Sequence, residues 1–283
     1  MTIAIIQERL KSYQCLNLQE EDHALREITQ EVILAGLART DFFKYAQFHG
    51  GTCLRIFHGI SRFSEDLDFV LEKPVEHFQL EKYLTASLKE LSAYGFKFEV
   101  VDRSKTNNTV KKAFIKDNSI GKLLELKYIK PDRSSKQIKI KIEVDTNPPK
   151  GAIATTRYLT FPFPASITLH DVNSLFAGKL HALLCREYIK GRDWYDLIWY
   201  LSTKKEVNYE LLNAQIAQSG EWKGKGQEVS KKWCFDQLKK KAANINWDSA
   251  ILDVRPFIKK QDTASLDLWS KDFFISIIDD YLE

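Results

Sequence analysis

Gly50-Gly51-Thr52 and, further on, Asp66-Leu67-Asp68 are the residues of this chain whose types and spacing could do chemistry. A glycine pair reaches backbone angles that other residues avoid, and without a Cβ it lets phosphate oxygens approach the main chain. Thr52 to Phe57 reads as a short helix, whose first N–H groups would be free to face an anion. Asp66 to Leu71 reads as a strand. Residues two apart on a strand share a face, so the Asp66 and Asp68 carboxylates point the same way. Two carboxylates that close repel unless a cation sits between them. Mg²⁺ is a hard cation that takes carboxylate oxygens together with triphosphate oxygens. An Asp-x-Asp pair alone most often marks a solvated strand end, so the glycine element ahead of it carries the weight.

The elements that must position these residues follow in order. Residues 1 to about 45 read as helical, with a second helix from about Glu20 to Leu37 carrying Ile28, Val32, Ile33 and Leu37 near helical spacing. Phe42 to His49 enters the strand that delivers Gly50 and Gly51. Residues 77–94 suit a helix ending at Gly95, and β-like runs follow at Phe96–Val101, Thr109–Ile115, Leu123–Ile129 and Ile138–Thr146. In the last run Ile140, Ile142 and Val144 face one side, while Lys139, Lys141, Glu143 and Asp145 face the other. Thr155–Phe161 is a further strand candidate. Phe161-Pro162-Phe163-Pro164 excludes a helix and suggests an extended crossing between two halves. A helix flanked by strands and followed by a meander predicts an α+β sheet domain with N-terminal helices, residues 1–165, and a helical C-terminal domain, residues 166–283.

Composition excludes several classes. The chain has 283 residues, 44% of them hydrophobic, which suffices for two modest domains. Its four cysteines are scattered without a Cys-x-x-Cys pair, and the six histidines lack metal-ligand spacing, so a zinc site or a disulfide framework is not expected. The first residues carry charges among the apolar ones and no apolar run nears membrane-spanning length, so a cytoplasmic protein is expected. No P-loop, Gly-x-Ser-x-Gly or Gly-x-Gly-x-x-Gly is present, which leaves ATPase, hydrolase and Rossmann readings without a foothold.

A second constellation begins at Asp171. Asp171 or Asn173 can cap a helix running to about Ile189, closed by Gly191. Lys179 and Arg186 are two helical turns apart and share a face. In the next segment Trp194, Leu197, Ile198 and Leu201 define a buried stripe, with Asp193 and Asp196 beside it and able to share a partner. By spacing alone these are ordinary helix charges and salt-bridge partners. Further on, residues 221–260 hold ten Lys/Arg against five Asp/Glu, and Trp222, Trp233 and Trp247 lie among them. Such a stretch suits a nucleic-acid backbone with stacking surfaces, and equally suits solvated helix faces around tryptophan cores.

Gly-Gly-Thr followed after a short helix by Asp-x-Asp resembles the signature of the DNA polymerase β-like nucleotidyltransferase superfamily. Ser64-Glu65-Asp66-Leu67-Asp68-Phe69 is more narrowly similar to the AbiEii/AbiGii toxin family within it. Lys179-Leu180-His181-Ala182-Leu183 and Lys190-Gly191-Arg192-Asp193-Trp194-Tyr195-Asp196-Leu197 look like the later motifs of that family. The resemblance implies a polymerase β-like sheet and a site with two Mg²⁺ ions on Asp66, Asp68 and a third carboxylate. Glu143, between Ile142 and Val144, matches that third position, and Asp145 on the same face is the reserve candidate. It also implies nucleotide binding by Gly50, Gly51, Thr52, Ser64 and Lys179, and an essential aspartate that is either Asp193 or Asp196.

By the same resemblance, the chain is expected to transfer a nucleoside monophosphate from an NTP to RNA, such as the 3′ end of tRNA. It would act as the toxin of a type IV, AbiE-like toxin–antitoxin or abortive phage-infection system. A cognate antitoxin would act with or without direct contact. Within the enzyme class the alternative acceptor is a protein or small-molecule hydroxyl. From a different class, the alternative is a catalytically silent nucleotide- or RNA-binding module, which the joint presence of Asp66, Asp68 and Glu143 argues against.

Overall fold

The computed structural model describes residues 2–92, 96–103, 109–117, 124, 126–129 and 138–283. The chain divides into two compact units. The first comprises Met1–Cys53, Phe63–Pro148 and Thr155–Leu169, and the second Leu54–Arg62, Pro149–Ala154 and His170–Glu283.

The first unit is built on a seven-stranded sheet. Its strands are β1 (Ala46–His49), β2 (Asp66–Leu71), β3 (Phe98–Asp102), β4 (Val110–Asp117), β5 (Ile138–Asp145), β6 (Ala154–Leu159) and β7 (Ala165–His170), in the order β3-β4-β5-β2-β1-β7-β6. β2 runs antiparallel to β1 and parallel to β5, and β1 runs parallel to β7. Helices α1 (Thr2–Ser12) and α2 (Leu18–Leu37) precede the sheet, α3 (Gly50–His58) follows β1, and α4 (Leu80–Ser92) precedes β3. α2 starts where Asn17 accepts the Glu20 N–H, and the Glu20 carboxylate answers by accepting from the Leu16 N–H. Its apolar stripe, Ile28, Val32 and Ile33, is fully buried, as are Ile140, Ile142 and Val144 on the inward face of β5. α2 packs on β5 and α4 on β3 and β4, so one sheet face is covered by helices. Glu21 of α2, itself buried, accepts the backbone N–H groups of Lys127, Tyr128 and Ile129, tying that segment to the helix.

The second unit is helical: α5 (Val172–Cys185), α6 (Gly191–Ser202), α7 (Tyr209–Gln218), α8 (Lys231–Ala243), α9 (Trp247–Val254) and α10 (Lys271–Leu282). Asp171 caps α5 by accepting the Ser174 N–H, as its position predicts. Phe176 stacks on Tyr200 at 4.3 Å, and Trp247 stacks on Phe274 at 4.2 Å with Trp194 and Trp269 edge-on around them. Trp247 is therefore half-buried in an aromatic cluster, with one ring face taken by Phe274.

Four sequence expectations need revision. Ala165–His170 forms β7, just past the crossing expected at Phe161–Pro164 and at the start of the half expected to be helical, because the prolines at 162 and 164 exclude a helix without excluding a strand just beyond them. α5 ends at Cys185, where Lys241 donates to the free carbonyls of Leu184 and Arg186 and closes the helix from outside. Gly191 opens α6 where it was expected to end α5. A Cβ there would fall 1.9 Å from the Ala250 carbonyl oxygen, so the glycine permits close approach of α6 and α9. The strand expected over Leu123–Ile129 falls partly outside the described residues, and its described part, residue 124 and residues 126–129, is not strand.

A carboxylate row under a glycine turn

β1 passes into α3 with no intervening loop, and Gly50 makes this possible with φ +78°, a region that side chains rarely adopt. A Cβ on Gly50 would sit 2.5 Å from Asp68 Oδ2, so the missing side chain also makes the space that this carboxylate occupies. The first N–H groups of α3 belong to Gly50, Gly51, Thr52 and Cys53 and have no acceptor within the helix. Thr52 is buried, and its hydroxyl donates to the Asp66 carbonyl at 2.5 Å. That hydroxyl ties α3 to β2, and its donor is thereby committed away from a phosphate. Ser64 is buried too, and its carbonyl accepts from Gln30.

Strand register aligns the charged groups. Asp68 lies opposite Glu143 on β5 and opposite His49 on β1, and Asp66 lies opposite Lys141. Lys112 on β4 is opposite Glu143 on its other side. Glu143 is held by Lys112 at 2.8 Å and Lys141 at 2.7 Å. Burial works against its ionisation, but the hydrogen bonds from these lysines prevail and its pKa falls below the ordinary value. Asp66 behaves oppositely. Burial first, and the neighbouring Asp68 charge second, raise its pKa to about 6 despite Lys141. Asp145 at the strand end accepts the Asn147 N–H, a turn contact. Among the described residues no group of three His, Cys, Asp or Glu side chains stands close enough together to hold a metal ion. Asp66 and Asp68 are the adjoining carboxylates that would hold a divalent cation, since burial and the Asp68 charge disfavour the Asp66 anion, whereas the Glu143 oxygens are occupied by ammonium groups. Lys112 and His49 were not singled out as site residues in the sequence, because only register places them beside the carboxylates, and Lys141, put on the Glu143 face by alternation, was given no role there.

The raised Asp66 pKa carries a pH signature. The native state holds this proton more tightly than the unfolded chain, so the associated stability is complete below about pH 4 and lost as pH rises through about 6. Asp66→Asn is therefore expected to be more thermally stable than the wild type at pH 7, with the gap closing toward pH 4. Melting curves of both proteins across that range check it, and a gap independent of pH would refute the assignment.

The second unit holds a separate cluster. Lys179 of α5 bridges Asp193 at 2.6 Å and Asp196 at 2.7 Å on α6. Arg62 donates to both Asp196 oxygens at 2.5 and 2.6 Å, and Arg186 pairs with Asp193. Burial opposes the charge on each of Lys179, Asp193 and Asp196, yet the opposite charges win: the Lys179 pKa rises and both aspartate pKa values fall. Side-chain exposure grows along the chain of pairs, from 0% at Asp196 through 7% at Asp193 and 12% at Lys179 to 25% at Arg186. Asp196 is thus saturated and sealed. The two aspartates, expected beside the buried stripe of α6, are themselves on its buried side, while Ile198 is only half-buried. Arg62 was not anticipated, since 134 residues separate it from Asp196 and neither residue advertises the other.

The sequence matches the family described as nucleotidyl transferase AbiEii toxin, type IV TA system, over residues 32–274. The chain belongs to the AbiEii nucleotidyltransferase toxin family. This enzyme is accordingly a nucleotidyltransferase and the toxin of a type IV toxin–antitoxin system, a class that implies an NTP substrate and an antitoxin. Its fold is shared with MenT4, a nucleotidyltransferase toxin of Mycobacterium tuberculosis, at TM-score 0.55 and 16% identity, covering 99% of this chain and 90% of that one. JHP933 from Helicobacter pylori is similar at TM-score 0.52 and 15% identity, covering 90% of each chain. No curated protein matches the toxin. None of its helices is long and apolar enough to cross a membrane, among the described residues.

Proposed function

We propose that this toxin transfers a nucleoside monophosphate from an NTP to the 3′ hydroxyl of an RNA, with tRNA as the acceptor class. The observation that supports it most is the alignment of Asp66 and Asp68 on one strand face, directly under the Gly50 turn and the free N–H groups of α3. We assign Asp66 and Asp68 as ligands of Mg²⁺, which when bound polarises phosphoryl oxygens and offsets the charge of the leaving pyrophosphate. The N–H groups of Gly50 and Gly51 receive phosphate oxygens, a role that needs no side chain. Glu143 is our candidate third carboxylate, with Asp145 in reserve; Lys112 and Lys141 must yield its oxygens before it can serve. In the second unit Lys179 is the candidate for triphosphate charge. Asp193, the less enclosed of its two carboxylate partners, is our candidate for the functional aspartate.

An RNA acceptor is favoured by the basic run of the second unit. Lys223, Lys225, Lys231, Lys232, Lys240, Arg255, Lys259 and Lys260 are exposed, and Gly224 and Gly226 shape the first of these loops with positive φ. Lys239 and Lys241 have internal partners, Asp279 and the α5 carbonyls, and contribute less. The expected setting is cytoplasmic, with arrest of phage-infected cells as the biological outcome.

The test is transfer of label. The full chain is incubated with Mg²⁺, each α-labelled NTP in turn and total tRNA, in parallel with reactions lacking RNA. Label is expected on tRNA, removable by a 3′ exonuclease. Label on the protein itself, or on neither, would overturn the RNA assignment.

A further inference from the structure

Strand β4 alternates strictly: Lys111, Ala113, Ile115 and Asp117 are buried, while Val110, Lys112, Phe114 and Lys116 are half-buried. Lys111 therefore takes a position that the alternation assigns to the helix-covered face, opposite Val144, while its neighbour Lys112 joins the carboxylate row. Lys111 is 7% exposed, yet no carboxylate or hydrogen-bond acceptor meets its ammonium group among the described residues. Its Nζ is not among the buried side-chain atoms that lack a partner, so the stem is packed while the ammonium reaches the solvent of a neighbouring cleft.

Lys111 lines a cleft of about 760 Å³ between α4 and the outer strands. Lys82 and Lys89 line it too, seven residues apart and hence on one face of α4. Phe78 forms another wall and is itself stacked on Tyr83 at 5.4 Å with the rings 14° apart. Glu81 and Asp102 also lie on the lining, so three ammonium groups face two carboxylates and the excess is positive. The cleft has the dimensions of a small-molecule site. Its three lysines can meet a phosphate as point charges, and the aromatic wall offers a planar surface for a base.

We propose that this cleft is a second ligand site, taking a nucleotide-sized phosphate monoester on the sheet face opposite the carboxylate row. Lys111 binds the phosphate from the floor, Lys82 and Lys89 from the helix side, and Phe78 packs against the base. The site is independent of Asp66 and Asp68, which lie on the other face of the same sheet.

Calorimetric titration of the full chain with AMP and with inorganic phosphate, in EDTA so that no divalent cation is present, tests it. AMP should bind equally well to the wild type and to Asp66→Asn/Asp68→Asn, which separates this site from the transfer reaction. Lys111→Met should weaken AMP at least tenfold, as expected for loss of a hydrogen bond to a charged group. Should that variant not fold, Lys82→Met/Lys89→Met, changed at two exposed positions, should weaken AMP severalfold and decides the matter alone. Absence of AMP binding, binding unaffected by the lysine changes, or binding lost in Asp66→Asn/Asp68→Asn would each overturn the proposal. Inorganic phosphate binding as tightly as AMP would overturn the role of the aromatic wall.

Discussion

Replacing Asp66 and Asp68 together by asparagine is expected to abolish nucleotide transfer and leave the fold intact. The two side chains alternate on β2 with Leu67 and Phe69, which are fully buried and carry the packing of the strand. Asparagine keeps the shape of the aspartate and removes two like charges that repel each other, so the melting temperature should hold or rise. The catalytic loss should be far larger. Bound metal contributes several kcal/mol of charge stabilisation, and each 1.36 kcal/mol is a factor of ten, so the rate should fall by about a thousandfold or more. The labelled-NTP assay beside a melting curve measures both. Activity within tenfold of the wild type would remove the carboxylate row from the mechanism.

Arg62→Ala is expected to cause the largest loss of stability. Arg62 and Asp196 are 3% and 0% exposed, and the change leaves a sealed carboxylate with Lys179 as its remaining partner. Breaking a buried pair from one side costs about 3–5 kcal/mol, with the surviving lysine favouring the lower figure. The thermal midpoint should drop on the order of 10 °C. Replacing both partners, Arg62→Met/Asp196→Leu, should recover much of the loss, because two apolar groups leave no stranded charge. Asp193→Asn should behave in the opposite way, losing activity with a smaller change in midpoint, since its carboxylate lies nearer the surface. Melting curves and transfer rates for the four proteins distinguish an aspartate that holds the cluster from one that acts. A midpoint for Arg62→Ala within a few degrees of the wild type would deny Arg62 this role.

The sheet's inner strands were legible because their patterns are local. IKIKIEVD alternates without a break, and Asp66-Leu67-Asp68 lies in a short run bounded by turn residues. The α5 cap was legible for the same reason: Asp171 and the Ser174 N–H are three residues apart. β7 was not, because the prolines before it break the periodicity that reveals a strand, and its pairing partner β1 lies more than a hundred residues earlier.

For the candidate site the division follows the same line. Sequence alone determined which side chains are chemically suited to the work: the glycines at 50 and 51, the aspartates at 66 and 68, the acid at 143, and Lys179 with Asp193 and Asp196. Their types and short spacings carry the family resemblance and fix which of them share a strand face. Tertiary structure decided what each one meets. Tertiary packing set Lys112 and Lys141 on Glu143, raised the Asp66 pKa through burial, and placed Lys111 in the lining of the cleft beside α4. Helix packing joined Arg62 to Asp196 and enclosed one of two equivalent-looking aspartates completely. These outcomes depend on distances between residues far apart in the chain and on how much water remains around them, and neither quantity is encoded at any single position.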